Sequence, residues 1–520
     1  MASMTPPKIS AAQSYSAAQG RRQASREAET LRRPLDFSPF AAALDALTAE
    51  RLSGLEALVR PATAAQLAAW QADGRLSAED LTLLHLSRIQ RLDAGQLNSV
   101  LELNPQALAG ARTLDAERRG GRVRSPLHGL TVLIKDNVAV AGLHWTAGAA
   151  ALAEHRAGQD APLVARLRAA GAVILGKTNL SEWSNFMTED SVNGYSVLGG
   201  HTRNPYGPFD VGGSSSGSAV AAAMNFATFT VGTETSGSLI YPGSQNALAV
   251  LKPSLGLVSR SGILPITEAQ DTAGPMARSV ADLALLLPAL VGHDPADPVT
   301  LQAEGFTPPA ALDPAALRGV RVALCLPGDL PPNARQTIEA GLAAAGAEAV
   351  PYDFQPPKPD WLSVMLHGMQ QDLPRCLREG GAPVTTLDEL VGFNAQHAHR
   401  APYGQSLLER ALDPAEQVSP GRYAAAKAAN YQLATAALDG VLAATGARWT
   451  VSLSNELSGV YSAAGYPALT VPAGQYASGE PFGVTFIGPA FSDSELIGAA
   501  FAYEQATRAR REPPASSLPG

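Results

Sequence analysis

Residues 171–178 read GAVILGKT, and the fold turns on how that string is read. It fits the phosphate-loop pattern G-x-x-x-x-G-K-[ST], in which a flexible turn curls its backbone N–H groups round phosphates and the lysine reaches the terminal ones. The residues between the glycines are Ala172, Val173, Ile174 and Leu175. Such a short, apolar, β-branched run has the pattern of a buried strand. It follows APLVARLRAAG, a helical segment that stops at Gly171 as a helix C-terminus does. On this reading Lys177 and Thr178 lie after a strand and no glycine loop surrounds an anion.

Working outward, LTVLIKD around residue 133 is a second strand, and a helix over 162–170 joins the two. Helices alternating with short apolar strands give an α/β layered fold with a largely buried sheet. Upstream, residues 1–35 are polar and rich in Ala, Ser, Gln and Arg, an expected disordered segment. Residues 36–75 form a helical extension with breaks at Pro61 and Gly74, and Ser77 to Asp80 resembles a capping box opening the helix LTLLHLSRIQRL. Downstream, a Pro- and Asp-rich connection over 293–314 precedes strands near 323 and 350 with a helix between them. A helical insert spans about 361–445, and the α/β pattern returns with YPALTVPAG, PFGVTFIGP and SELIGAAFAYEQATRARR. The main domain therefore runs over 76–512, with the insert inside it.

The 520 residues are 46% hydrophobic and 17% charged, with a net charge of −8 and no basic cluster. That balance argues against nucleic acid or an anionic membrane as partner. Cys325 and Cys376 belong to no metal or redox spacing and read as free thiols of a reducing compartment. The N-terminal stretch has no apolar core of secretory length, so a cytoplasmic location is expected. The best membrane candidate, VADLALLLPALVG, is broken by Asp282 and Pro288.

The chemistry concentrates in residues 210–242, DVGGSSSGSAVAAAMNFATFTVGTETSGSLIYP. Two glycine- and serine-rich clusters, 212–218 and 232–238, flank a small-residue helix and a strand. Glycines let successive N–H groups aim at one point, and the serines add hydroxyls. A flexible linker would lack the apolar AVAAAM and FATFTV between the clusters. Residues 213–217 also match G-x-S-x-G, which carries mechanism only at a strand-to-helix elbow. The preceding RNPYGPFDV is no strand, and no histidine follows His399. Metal chemistry finds no H-E-x-x-H or C-x-x-C, and His397 and His399 would point to different faces of a helix.

A serine nucleophile without a histidine needs another base, and lysine is the main candidate. Lys135 ends the apolar run TVLI. To act near pH 7 it must carry a charged form destabilised by roughly 4 to 5 kcal/mol, which burial beside uncharged partners provides. A surface lysine, or an ion pair with Asp136, is the alternative that the residues alone leave open.

Together these segments resemble the amidase signature family. The marks occur in order: LIKDN with Lys135, GAVILGKTN, GGSSSGS, GTETSGS, LKPSLGLVSRSG, then YPALTVPAG and PFGVTFIGP, over about residues 70–510. The resemblance implies a single large mixed β-sheet covered by helices on both sides. It also implies a Ser-cis-Ser-Lys triad: Ser238 as nucleophile, Ser214 as bridging serine after a cis Gly213–Ser214 peptide, and Lys135 as base. The backbone N–H groups of Thr235, Ser236, Gly237 and Ser238 would form the oxyanion hole, and no cofactor or metal is expected. The wording of GKTNLSEWSNF, TRNPYGPFDVGGSSSGSAV, GTETSGS and QDTAGPMARSVAD is most similar to the peptide amidase branch, which implies release of ammonia from C-terminal peptide amides. Two positions depart from the pattern. Leu239-Ile240 stands where most relatives carry Ile-Arg, which removes a partner for a substrate carboxylate and argues against malonamide-type substrates and the glutaminyl-tRNA amidotransferase role. Ser236 stands where peptide amidases tend to have Asp, so linear or cyclic oligoamides and aryl amides or esters stay open as substrates. A binding subunit without catalysis is the other class, and the presence of all three triad positions argues against it.

Overall fold

A computed structural model of the protein describes residues 32–309 and 311–514. The expected disordered segment 1–35 therefore lies, apart from 32–35, outside the described residues. The extension that follows is helical over Ala41–Asp45, Ala49–Val59 and Ala64–Ala72, and its Leu55, Val59 and Leu67 join the main apolar core. The Ser77 cap behaves as its sequence dictates: its hydroxyl accepts the Asp80 N–H, and Asp80 returns the bond to the Ser77 N–H.

The strands are β1 (Val100–Leu103), β2 (Thr131–Lys135), β3 (Val173–Thr178), β4 (Tyr195–Ser196), β5 (Gly200–His201), β6 (Phe229–Glu234), β7 (Ala249–Lys252), β8 (Thr272–Ala277), β9 (Arg321–Leu324), β10 (Glu348–Pro351), β11 (Trp449–Leu453), β12 (Ala468–Gln475) and β13 (Pro481–Ile487). All but β4 and β5, which form a separate ladder, belong to one 11-stranded sheet in the order β1-β3-β2-β6-β8-β7-β12-β13-β11-β9-β10. β3, β2 and β6 run parallel, and β8 pairs antiparallel to β6, so the sheet is mixed.

Side chains of a strand alternate between faces, and β2 shows what covers each. Val132 and Ile134 pack in the core that holds Leu163 and Leu167 of the helix Pro162–Ala169 and Leu283 and Leu287 of the helix Val280–Leu290. Leu133 packs in a second core with Leu86, Ala111 and Val220, from helices of the other layer. The expected single mixed sheet with helices on both sides is the architecture found.

GAVILGKT is a strand, as its composition dictates, but the strand runs further than expected. Lys177 and Thr178 are its last two residues rather than part of a following loop, because β3 pairs with β2 through to Lys135↔Thr178. Gly176 serves contact between strands: a Cβ there would lie 2.1 Å from the Glu102 carbonyl oxygen of β1. Lys177 is fully buried, donates to the carbonyls of Val138 (2.7 Å) and His144 (2.8 Å), and pairs with Asp136 at 3.3 Å. All of its capacity is spent inside the protein, with none left for a phosphate.

The segment 361–445 is helical, ending in the long helix Pro420–Thr445. Its helix Ser406–Leu412 is fastened to the 187–189 turn: the N–H of Leu407 donates to Met187 O (3.2 Å), the N–H of Glu189 donates to Ser406 Oγ (3.0 Å), and Arg410 pairs with Glu189 at 2.9 Å. His397 and His399 are not on one helix, since the helix Leu387–Gln396 ends before both. Cys325 and Cys376 are free thiols. No helix among the described residues is long and apolar enough to cross a membrane.

Candidate active site

β2 is an interior strand of the sheet, between β3 and β6, and delivers Lys135 at its C-terminal end, with the side chain fully buried. Its neighbour β6 brings Thr233 alongside, and the turn 213–215 leads into the helix Ser216–Ala223 on the same side. Lys135 Nζ lies 2.8 Å from Ser214 Oγ, 3.0 Å from Ser215 Oγ and 2.9 Å from Thr233 Oγ1. Ser215 Oγ donates to Thr233 O at 2.9 Å, and Asn137 Nδ2 donates to Thr233 Oγ1 at 3.0 Å. Every group in contact with the amine is neutral.

The alternatives for Lys135 are thereby resolved. It is no surface residue, and Asp136 turns away to pair with Lys177. Burial pushes Lys135 down to about 7, and the carboxylates of Asp271 and Glu234 only partly oppose that shift. A lysine so placed gives up its proton far more readily than an exposed one, and in its neutral form it can take a proton from a hydroxyl beside it.

Ser238 sits on the turn that follows β6 and is 8% exposed, the most open of the three triad positions. Its carbonyl accepts the Ser215 N–H at 3.2 Å, which ties the two serine clusters together. Its hydroxyl forms no hydrogen bond to Ser214 Oγ in this structure, so that link of the expected relay is open. The Gly213–Ser214 peptide is cis, as the resemblance implies. Gly213 has no room for a side chain, since a Cβ would lie 2.4 Å from Asn193 Oδ1 and 2.6 Å from Ser181 Oγ.

The turn itself is shaped by Glu234, whose carboxylate accepts the N–H groups of Leu239 (2.8 Å) and Ile240 (3.1 Å). Gly237 takes φ +83°, where a side chain would be strained. With the next two N–H groups committed to Glu234, those of Ser236, Gly237 and Ser238 have no acceptor among the described residues. Backbone donors without an acceptor beside a partly open hydroxyl suit a developing oxyanion.

Sequence reasoning named Lys135, Ser214, Ser238 and the 235–238 donors. It missed Thr233, Ser215, Glu234 and Asp271. Ser215 and Thr233 lie inside the quoted motifs, but only folding shows that they touch the lysine. No histidine hydrogen-bonds to Ser214 or Ser238, and no group of three or more metal-ligating His, Cys, Asp or Glu gathers among the described residues.

A family model described as Amidase matches residues 80–379. A probable amidase of Arabidopsis thaliana is 34% identical over 465 residues, covering 84% of this chain and 88% of that protein. Among solved structures, the native peptide amidase from Stenotrophomonas maltophilia is 42% identical, with TM-score 0.81 over 87% of this chain and 98% of that one. An amidase family protein from Bacillus anthracis is 36% identical, with TM-score 0.88 over 92% of this chain and 97% of that one.

Proposed function

Since the chain belongs to the amidase signature family and is an amide hydrolase, we propose that it works through Ser238, Ser214 and Lys135 on C-terminal peptide amides, releasing ammonia. The observation that carries this reading is the Lys135 amine, buried among hydroxyls with no ion-pair partner and 2.8 Å from Ser214 Oγ.

Neutral Lys135 accepts the Ser214 proton while Ser214 takes the proton of Ser238, whose oxygen forms the bond to the amide carbonyl carbon. The negative charge that moves onto the carbonyl oxygen meets the N–H groups of the 235–238 turn, each donor worth about 3 to 4 kcal/mol in such sites. Collapse of the tetrahedral adduct breaks the C–N bond, and Ser214 delivers the proton to the departing nitrogen. Water then attacks the Ser238 ester by the reverse relay and frees the acid. The open Ser214–Ser238 contact closes when substrate fills the site, a tightening that resting active sites commonly leave to the bound complex.

The substrate class is supported by the 42% identity to the Stenotrophomonas maltophilia peptide amidase. Leu239 and Ile240 at the nucleophile turn offer no cation to a free carboxylate, which suits a neutral chain terminus. The test is ammonia release from a short peptide amide by the parent and by Ser238→Ala. Release by the parent alone is expected. Release by both proteins would remove Ser238 from the mechanism, and release by neither would remove peptide amides as substrates.

A further inference from the structure

The motif Gln270-Asp271-Thr272 belongs to the stretch that carries the family resemblance, yet the mechanism above gives it no task. Asp271 is 7% exposed and stands at the start of β8, next to β6. One of its oxygens accepts the Thr235 hydroxyl. The other accepts the N–H groups of Ile266 (2.9 Å) and Thr267 (3.0 Å). Gln270 Nε2 adds a second hold on the same residue by donating to the Thr235 carbonyl at 3.2 Å. Thr235 is the first residue of the turn whose N–H groups face the reacting carbonyl, and both its side chain and its carbonyl are gripped from the 266–271 segment.

We infer that Asp271 is a positioning residue for the amidase reaction: through Thr235 it fixes the aim of the oxyanion-binding turn. This rests on the triad reading given above. The way the turn is anchored supports this role. The turn is held at its far end by Glu234, so a release at Thr235 leaves the N–H groups of 236–238 hinged on one side only.

The experiment measures thermal stability, and kcat and KM on a peptide amide, for the parent, Thr235→Val, Thr235→Ser and Asp271→Asn. Thr235→Val keeps the shape and removes the hydroxyl, so kcat should fall about 10²-fold with KM little changed, the size of effect that a displaced catalytic group produces. Thr235→Ser restores the hydroxyl and should recover most of the rate. Asp271→Asn should lower kcat as well, again with KM little changed. A purely packing role lowers thermal stability without that split between kcat and KM and without recovery in Thr235→Ser. Parent-like kcat in Thr235→Val or in Asp271→Asn would overturn the inference. Loss of the triad reading is distinguishable, since it shows as turnover by Ser238→Ala.

Discussion

Replacing Lys135 by methionine should destroy activity while making the folded protein more stable in acid and less stable in base. Holding the lysine at about 7 instead of 10.5 raises the free energy of its charged form by about 5 kcal/mol. Below pH 7 Lys135 is protonated in both the folded and unfolded chain, and the folded state bears that cost in full. Between 7 and 10.5 the unfolded chain binds the proton and the folded one does not, so the parent gains stability as pH rises. Above that window the cost is gone. Methionine removes the titration but leaves the hydroxyls of Ser214, Ser215 and Thr233 without the amine, at about 1 kcal/mol each. The variant should therefore exceed the parent by about 2 kcal/mol at pH 6 and fall below it by about 2 kcal/mol at pH 10. Urea unfolding of both proteins across that range reads the crossover directly, and the loss of a general base should cost at least about 10³-fold in kcat/KM. A stability difference that stays constant from pH 6 to 10 would refute the depressed lysine. An active Lys135→Met protein would refute its role as base.

Three further outcomes follow from the same geometry. In the parent, kcat/KM should rise with pH through about 7, because only deprotonated Lys135 accepts the proton; a profile flat from pH 5 to 9 contradicts this. Lys177→Met should behave in the opposite way to Lys135→Met, losing about 3 to 5 kcal/mol of stability at neutral pH because Asp136 is left buried without its cation; unchanged unfolding would show that the pair is not structural. Ser214→Ala should lose about 10³-fold or more in kcat while folding normally, because Lys135 keeps Ser215 and Thr233 but has no path to Ser238; a rate near that of the parent would break the relay.

The parts of this molecule that could be read in sequence are those with a local signature. β2 and β3 are apolar and β-branched, and Gly171 marks the end of the helix before β3. β8 had no such signature. Its TAGPMA carries a glycine and a proline, residues that argue against a strand, yet it pairs on both sides inside the sheet, with Pro275 opposite Val231 of β6. Gly274 is there because a Cβ would lie 2.2 Å from the Leu251 carbonyl oxygen, a constraint that only the assembled sheet imposes. β11 lay hidden behind the long helix Pro420–Thr445, with only five residues, WTVSL, to announce it.

The site divides in the same way. Lys135, Ser214 and Ser238 stand in motifs dense enough to carry a family resemblance, whereas the partners of Lys135 come from two separate segments, the 213–215 turn and β6, that meet only in space. The pairing of Asp136 with Lys177 illustrates the difference. Adjacent in sequence to Lys135, the aspartate reads as its natural partner, but it opens the turn after β2, where Lys177 and the Thr146 hydroxyl hold it, and the lysine is left among hydroxyls. Asp271 lies 36 residues beyond Thr235, and nothing local announces their hydrogen bond.

The most direct test of the central claim is to locate the covalent intermediate. The protein is quenched during turnover of an activated ester, or after reaction with a fluorophosphonate, and the modified peptide is identified by mass spectrometry. A single adduct on Ser238 is expected, absent from Ser238→Ala and formed at a strongly reduced rate in Lys135→Met. An adduct on Ser214 or Ser215, or undiminished labelling of Ser238→Ala, would contradict it.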